Sequence, residues 1–330
     1  MSRLGILTSG GDAPGMNAAV RAAVRCADGL GLQMVGIRQG YTGLIEGDVI
    51  DLDNRAVGGI IERGGTILRT ARSAAFLTEE GRRKALATVE TCRLDGLVVI
   101  GGNGSLRGAR WLHRAGVPTV GVPASIDSDV SGTEMAIGVD TALNTVVGCL
   151  DRLRDTAISH ERVFIVEVMG RESGYIALMG GLAGGAEIIL IPEEPTSLQR
   201  VASRVVEGLA SGKRHSIVVV AEGFPIERRG GYEAVSAGRR IADVLEADRG
   251  LETRLTILGH LQRGGSPSAF DRILASRFGE AAVRYHAEGR TGEMTALSCG
   301  DVTGIPLDEI EKPGSHVDLA LYRLAHTIAH

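Results

Sequence analysis

Lysine is nearly absent from this chain. Only positions 84, 213 and 312 carry it among 36 basic residues, so arginine supplies almost all of the positive charge. No lysine follows a glycine-rich turn, which excludes a Walker-type phosphate loop. Cysteine is also sparse: Cys26, Cys92, Cys149 and Cys299 stand apart, with no CxxC spacing and no Cys/His cluster. Neither a disulfide framework nor a zinc site follows from that spacing, which reads as buried thiols in a reducing cytosol. Excess charge is missing too. With 40 acidic residues the net charge is −4, against the basic balance expected of a general nucleic-acid binder. The longest apolar stretch, 175–186, is glycine-rich and too short to cross a bilayer. The chain enters "RLGILTSGG" with no leader-like hydrophobic region, so a soluble, cytoplasmic protein is expected.

Glycine is abundant, with 47 among 330 residues, about twice the usual share. The glycines fall at segment ends, as tight strand-to-helix turns and close approach of backbone to ligand require. Apolar runs of strand length recur: "LGILTS" (4–9), "MVGI" (34–37), "GLVVIG" (96–101) and "TVGVP" (119–123). They continue as "VFIVEV" (163–168), "EIILIP" (187–192), "SIVVVAEG" (216–223) and "LTILGH" (255–260). Runs with so little polar alternation predict parallel strands covered on both faces. Helical patterns lie between them at 16–27, 79–92 and 140–153, the last with Leu143, Val147, Leu150 and Leu153 on one stripe. The alternation predicts an α/β architecture. The preferred break lies near Asp140, with a return to the first lobe near Leu251, and the charged "RRGGYEAVSAGRR" (228–240) reads as a surface insertion.

Two strands end in glycine turns that open helices, "LTSGGDAPGMNAAV" (7–20) and "VVIGGNGSLRGA" (98–109). Unpaired N–H groups and the positive dipole end of a helix suit phosphate there, and glycine lets it approach. A third strand-end loop, "GVPASIDSDVSG" (121–132), presents Asp127 and Asp129 beside Ser125 and Ser128. Two acids at this spacing can divide the work of phosphoryl transfer, one accepting a hydroxyl proton and the other holding metal. An Asx-turn with capping serines is the alternative on the local sequence. Arginine and histidine bracket two later strands: Arg162 and Arg171 in "SHERVFIVEVMGRESGY", then Arg254, His260 and Arg263 in "ETRLTILGHLQRGGSPSAFDR". Guanidinium forks match phosphate oxygens in a way lysine does not. Donor and acceptor are therefore both expected to be phosphorylated.

These segments, with "RGGTILRTAR" (63–72), "SIDSDVSGTEMAIGVDTAL" and "RLRDTAISHERV", resemble the bacterial ATP-dependent 6-phosphofructokinases, phosphofructokinase family A, from residue 1 to about 277. The resemblance implies two similar lobes, each a mostly parallel sheet with helices on both faces, and an active site in the cleft between them. Residues 1–139 with roughly 251–300 are expected as the ATP-binding lobe, and 140–250 with the C-terminal helix region as the fructose-6-phosphate-binding lobe. It further implies transfer of the ATP γ-phosphoryl group to the 1-hydroxyl of fructose 6-phosphate with Mg2+, in glycolysis. Position by position, Asp127 is the expected base with Asp129 beside it, and Ser125 replaces the usual Thr. Arg171 and Arg72 neutralise the moving group. Gly11, Tyr41, Arg72, Ser73, Gly102, Asn103, Gly104 and Ser105 cradle ATP, and Asn103 and Asp129 hold the metal. Met169, Gly170 and Glu222 meet the sugar, while His260 and Arg263 hold its 6-phosphate. Arg162 and Arg254 join them from a neighbouring subunit, which implies a homotetramer.

The chain departs from the family pattern at informative places. Asn103 and Ser128 stand where ATP-using members have Asp and Asn. Pyrophosphate-using relatives carry Asp and Lys where this chain has Gly104 and Ala124, which favours ATP as donor. Arg21, Arg25, Arg154, Glu187 and Lys213 match an effector site for ADP or phosphoenolpyruvate, but Asn54 and Ser211 replace basic residues there. Reduced or altered allostery is expected. The competing readings are a pyrophosphate-dependent phosphotransferase of the same fold and a non-catalytic sugar-phosphate or nucleotide-binding subunit. A lipid or NAD kinase is disfavoured by "LGHLQRGGSP".

Overall fold

The computed structural model describes residues 2–160, 162–225, 236–310 and 317–329. The chain opens with β1 (Arg3–Ser9), α1 (Met16–Gly29), β2 (Gln33–Ile37), α2 (Tyr41–Glu46) and β3 (Val49–Leu52). Then come α3 (Glu79–Thr91), β4 (Gly96–Gly101), α4 (Asn103–Arg114), β5 (Thr119–Pro123) and α5 (Val139–His160). A second alternating run follows: β6 (Val163–Val168), α6 (Tyr175–Ala183), β7 (Ile188–Leu190), α7 (Leu198–Ala210), β8 (Ser216–Ala221), α8 (Ala237–Arg249) and β9 (Thr253–Ile257). The last elements are α9 (Ala269–Ala287), β10 (Glu293–Ser298), β11 (Asp301–Pro306) and α10 (Leu319–Ile328).

They form two compact units, Met1–Thr141 with Arg263–Gly314, and Ala142–Gln262 with Ser315–His330. The first unit contains a sheet in the order β11-β10-β5-β4-β1-β2-β3. Its strands from β10 to β2 run parallel, and β3 and β11 close the edges antiparallel. The second unit contains β7-β8-β6-β9, parallel throughout. Every residue of β4, β5, β6 and β8 is buried, so the continuous apolar runs mark sheets covered on both sides. In β4, neighbours Val98 and Val99 point to opposite faces and are both buried. Each such valine contributes roughly 1.5–3 kcal/mol on burial. The first core gathers Leu7, Val35, Leu97, Val99, Leu106 and Met294, and the second Val163, Ile165, Leu190, Val205, Val218 and Ile241.

The return to the first unit falls at Arg263, later than the expected return near Leu251. The reason is β9, which hydrogen-bonds to β6 with Phe164 opposite Arg254 and so keeps 253–257 in the second sheet. That strand also starts earlier than the expected 255–260, and 259–262 forms a short 3₁₀ turn instead. Helix α5 runs on to His160, beyond the expected 153. Of the expected surface insertion, 228–235 lies outside the described residues, and its end, from Ser236, caps α8.

Candidate active site

Parallel strands deliver their C-terminal ends to one edge, and in the first unit that edge collects the expected residues. Gly10–Asp12 follow β1, Gly40 and Tyr41 follow β2, Gly102–Ser105 follow β4, and Ser125–Asp129 follow β5. The connections from β1 and β4 leave towards opposite sides of the sheet, which opens the crevice where α/β proteins bind ligands. Helices α1, α2 and α4 start at Gly15, Gly40 and Gly102 without any side-chain cap. Helices α3, α7, α8, α9 and α10 are instead capped by Thr78, Ser197, Ser236, Ser268 and Asp318. First-turn N–H groups without a side-chain acceptor are the anion-binding ends.

Three hydrogen bonds bring the distant Arg72 segment onto the β1 loop. Thr8 Oγ1 donates to the Arg69 carbonyl at 2.8 Å, Thr70 Oγ1 to the Gly10 carbonyl at 2.8 Å, and the Gly10 N–H to Ala71 O at 3.5 Å. Arg72 is exposed there, beside the half-buried Gly11 and Ser73. Buried Asn17 holds the preceding segment, donating to the Arg63 and Gly64 carbonyls and accepting from Ile67 N–H. Tyr41 does not face solvent: it stacks on Phe76 at 4.1 Å and its hydroxyl donates to the Ser105 carbonyl at 2.6 Å. Burial pushes its phenol well above the ordinary range, so it remains a donor. The Ser105 hydroxyl donates to the Ser9 carbonyl at 2.8 Å, which ties the β1 and β4 loops together. Of this loop, Gly104 alone is exposed, and a Cβ there meets nothing within 4 Å.

The carboxylate pair is organised by Ser125. Its Oγ accepts the Asp127 N–H at 3.2 Å and donates to Asp129 Oδ1 at 3.3 Å. Asn103 Nδ2 donates to the Asp129 carbonyl at 3.0 Å, which joins the β4 and β5 loops and leaves the amide oxygen for another partner. Among the described residues no cluster of three or more His, Cys, Asp or Glu is placed to hold a metal. Ser128, between the two acids, has φ +49°, a left-handed conformation that a non-glycine residue adopts only under constraint. Asp127 is 2% exposed, and Arg263 Nη2 stands 3.9 Å from its Oδ1. Arg263 Nη1 donates to the Asp12 carbonyl at 3.0 Å, and a Cβ on Gly11 would lie 2.6 Å from that nitrogen. A side chain at position 11 would therefore displace the Arg263 guanidinium.

In the second unit the loops after β6, β8 and β9 also share one edge. They carry Met169, Gly170 and Arg171, then Glu222, then His260. Arg171 has φ +54°, and its N–H donates to Glu222 Oε1 at 2.9 Å. The Glu222 N–H in turn donates to Val168 O at 2.8 Å, and a Cβ at Gly223 would sit 1.9 Å from Arg171 O. The two loops are stapled, and the Arg171 and His260 side chains are exposed at that edge. Arg162 and Arg254 lie at the opposite end of the same sheet, before β6 and early in β9, where both pair with Glu252.

A family model described as Phosphofructokinase matches residues 3–286. The chain belongs to the phosphofructokinase family. The ATP-dependent 6-phosphofructokinase 1 of Thermus thermophilus is 52% identical over 330 residues, covering all of both chains. Among solved structures, phosphofructokinase from Pichia pastoris in the T-state superposes with a TM-score of 0.86 at 37% identity, over 94% of this chain and 35% of that one. A pyrophosphate-dependent phosphofructokinase from Marinobacter aquaeolei shares the fold, with a TM-score of 0.85 at 22% identity, over 97% and 86%. No helix among the described residues of this phosphofructokinase is long and apolar enough to cross a membrane.

Of the residues expected at an effector site, Arg154, Glu187 and Lys213 have partners within the chain. Arg154 Nη2 donates to the Gly184 and Gly185 carbonyls, and Nη1 stands 3.9 Å from Glu187. Glu187 also accepts the Ile217 N–H at 2.7 Å. Lys213 donates to the Ala329 carbonyl at the end of the chain. Arg21 and Arg25 sit one turn apart on α1, half-buried and exposed. Sequence reasoning missed Asp271, which is fully buried and accepts from Gly138 N–H, Thr141 N–H and Thr141 Oγ1 at 2.9, 2.8 and 2.5 Å. It anchors α9 to the start of α5. Its only local sign is the acid after an N-capping serine, Ser268, in "SPSAFDR".

Proposed function

We propose that this phosphofructokinase transfers the γ-phosphoryl group of ATP to the 1-hydroxyl of fructose 6-phosphate, giving fructose 1,6-bisphosphate and ADP in cytoplasmic glycolysis. The observation that carries the reading is the buried Asp127 carboxylate, fixed by Ser125 and facing Arg263 on the edge where uncapped helix N-termini converge. Asp127 takes the hydroxyl proton as the sugar oxygen attacks. Arg171 and Arg72 offset charge on the moving group, which a loose, charge-spread transition state needs more than covalent help. The N–H groups of Gly11 and Gly102–Ser105, with Ser73, cradle the donor, and Tyr41 shapes that loop from beneath. Met169, Gly170 and Glu222 meet the sugar, and His260 and Arg263 take its 6-phosphate.

Mg2+ fits the pair of oxygen donors at the β4 and β5 loops. Asp129 and the Asn103 amide oxygen would hold it, with the donor's phosphates and water completing a shell of the kind this ion prefers. When bound it supplies charge neutralisation. Donor choice rests on Gly104, whose open side leaves room for the α-phosphate and nucleoside that pyrophosphate lacks. Arg162 and Arg254 stand a strand's length, roughly 20 Å, from the loop carrying Arg171. They therefore serve a second copy's sugar phosphate, which supports a homotetramer. A coupled assay with fructose 6-phosphate and Mg2+ tests the reading. Turnover with ATP and none with pyrophosphate is expected, and pyrophosphate-only turnover would overturn the donor.

A further inference from the structure

At the edge of the second sheet opposite the Arg171 loop, one carboxylate is gripped by two guanidiniums. Arg162 Nε lies 2.8 Å from Glu252 Oε2, and Arg254 Nη2 lies 2.5 Å from Glu252 Oε1. Each oxygen therefore has its own arginine, and Arg254 Nη1 is fixed on the Thr253 carbonyl at 2.8 Å. Arg162 and Glu252 immediately precede Val163 and Thr253, which pair between β6 and β9, so the clasp is set by strand register. Two cations around one anion leave the locus positive, and a two-oxygen acceptor bridging two forks is the geometry of a phosphate site. The Glu252 side chain is 53% exposed and the arginines 29% and 48%, so the carboxylate can leave to water without burying a charge.

We propose that Glu252 is a place-holder for the sugar phosphate: it occupies Arg162 and Arg254 until a phosphorylated ligand displaces it, and so sets the affinity for that ligand. This rests on the reading above that the two arginines take fructose 6-phosphate. Glu252 touches no substrate and acts through the arginines. In the empty state it keeps both forks convergent and neutralises part of their charge. On binding it must give up both pairs, which weakens the observed affinity by what those pairs were contributing.

The test measures KM for fructose 6-phosphate and kcat at saturating Mg-ATP, with calorimetric binding of fructose 6-phosphate alone as a second readout. The proteins are wild type, Glu252→Gln, Arg254→Ala and the Arg162→Ala/Arg254→Ala pair with and without Glu252→Gln. Glu252→Gln is expected to lower KM and the calorimetric Kd about three- to tenfold, the effect of releasing two exposed ion pairs, with the change in KM rather than kcat. The gain should vanish when both arginines are gone. A KM that is unchanged or raised in Glu252→Gln, while Arg254→Ala raises it, overturns the place-holder. A KM that Arg254→Ala leaves unchanged overturns the assignment of the arginines themselves.

Discussion

Asp271 offers the sharpest structural test, because a single buried carboxylate holds the loop after β5 to α9. It is fully buried and accepts from two backbone N–H groups, Gly138 and Thr141, and from the Thr141 hydroxyl. In Asp271→Asn one oxygen remains and an NH2 group faces a donor, so at least one buried N–H loses its acceptor. An orphaned buried donor costs about 1–3 kcal/mol. For a domain of this size that loss lowers Tm by roughly 3–10 °C. Asp271→Ala strands both backbone donors and should cost about twice as much. The carboxyl also carries a pH signature. Burial pushes its pKa above the usual range, and its hydrogen bonds to Thr141 and Gly138 only partly oppose that. The folded state therefore holds the proton more tightly than the unfolded chain. Stability from this group is complete below the ordinary aspartate pKa and declines as pH rises through the raised folded value. Differential scanning calorimetry of wild type and Asp271→Asn across that window should show their Tm gap narrowing as pH rises. An Asn variant as stable as wild type, or a gap that widens with pH, would refute the reasoning.

Other outcomes follow from single residues. In Gly223→Ala the added methyl meets Arg171 O at 1.9 Å, so the two loops must part; a shift of this size is expected to lower kcat about 100-fold, and a kcat within threefold of wild type would contradict it. Arg93 ends α3 at φ +52° with Arg93 N–H to Glu90 O and Leu94 N–H to Val89 O, a Schellman turn that wants glycine. Arg93→Gly should stabilise by about 1 kcal/mol, read as a higher urea midpoint with the slope unchanged. Since Arg154, Glu187 and Lys213 have internal partners and Asn54 and Ser211 lack charge, ADP should barely move the fructose 6-phosphate saturation curve. Strong activation at low substrate would reverse that expectation.

The parts of this fold legible in the sequence are those with a one-dimensional signal. "GLVVIG" and "VFIVEV" announce buried parallel strands because both faces are apolar, and glycine turns with no capping side chain mark the ligand edge. The edge strands β3 and β11 were not legible, since they are short and only partly buried, and neither was β10, whose buried stretch is interrupted by the polar Thr295. The hairpin joining β10 to β11 turns on Cys299 and Gly300, both at positive φ, and cysteine is not the residue that usually advertises such a turn. The acid pair and the serine beside it were visible in "SIDSD", whereas the Asn103 strap to Asp129 and the approach of Arg263 to Asp127 are tertiary contacts. Glu252 was invisible for the same reason: its neighbours in sequence include Arg254, but its second partner, Arg162, arrives only through strand pairing.

The account stands on Asp127 as the group that receives the sugar's proton. The most direct measurement is kcat of Asp127→Asn with saturating fructose 6-phosphate and Mg-ATP, alongside calorimetric binding of fructose 6-phosphate. Loss of a general base predicts kcat lower by about 100- to 10,000-fold, with the sugar phosphate still binding. A kcat within tenfold of wild type would contradict it.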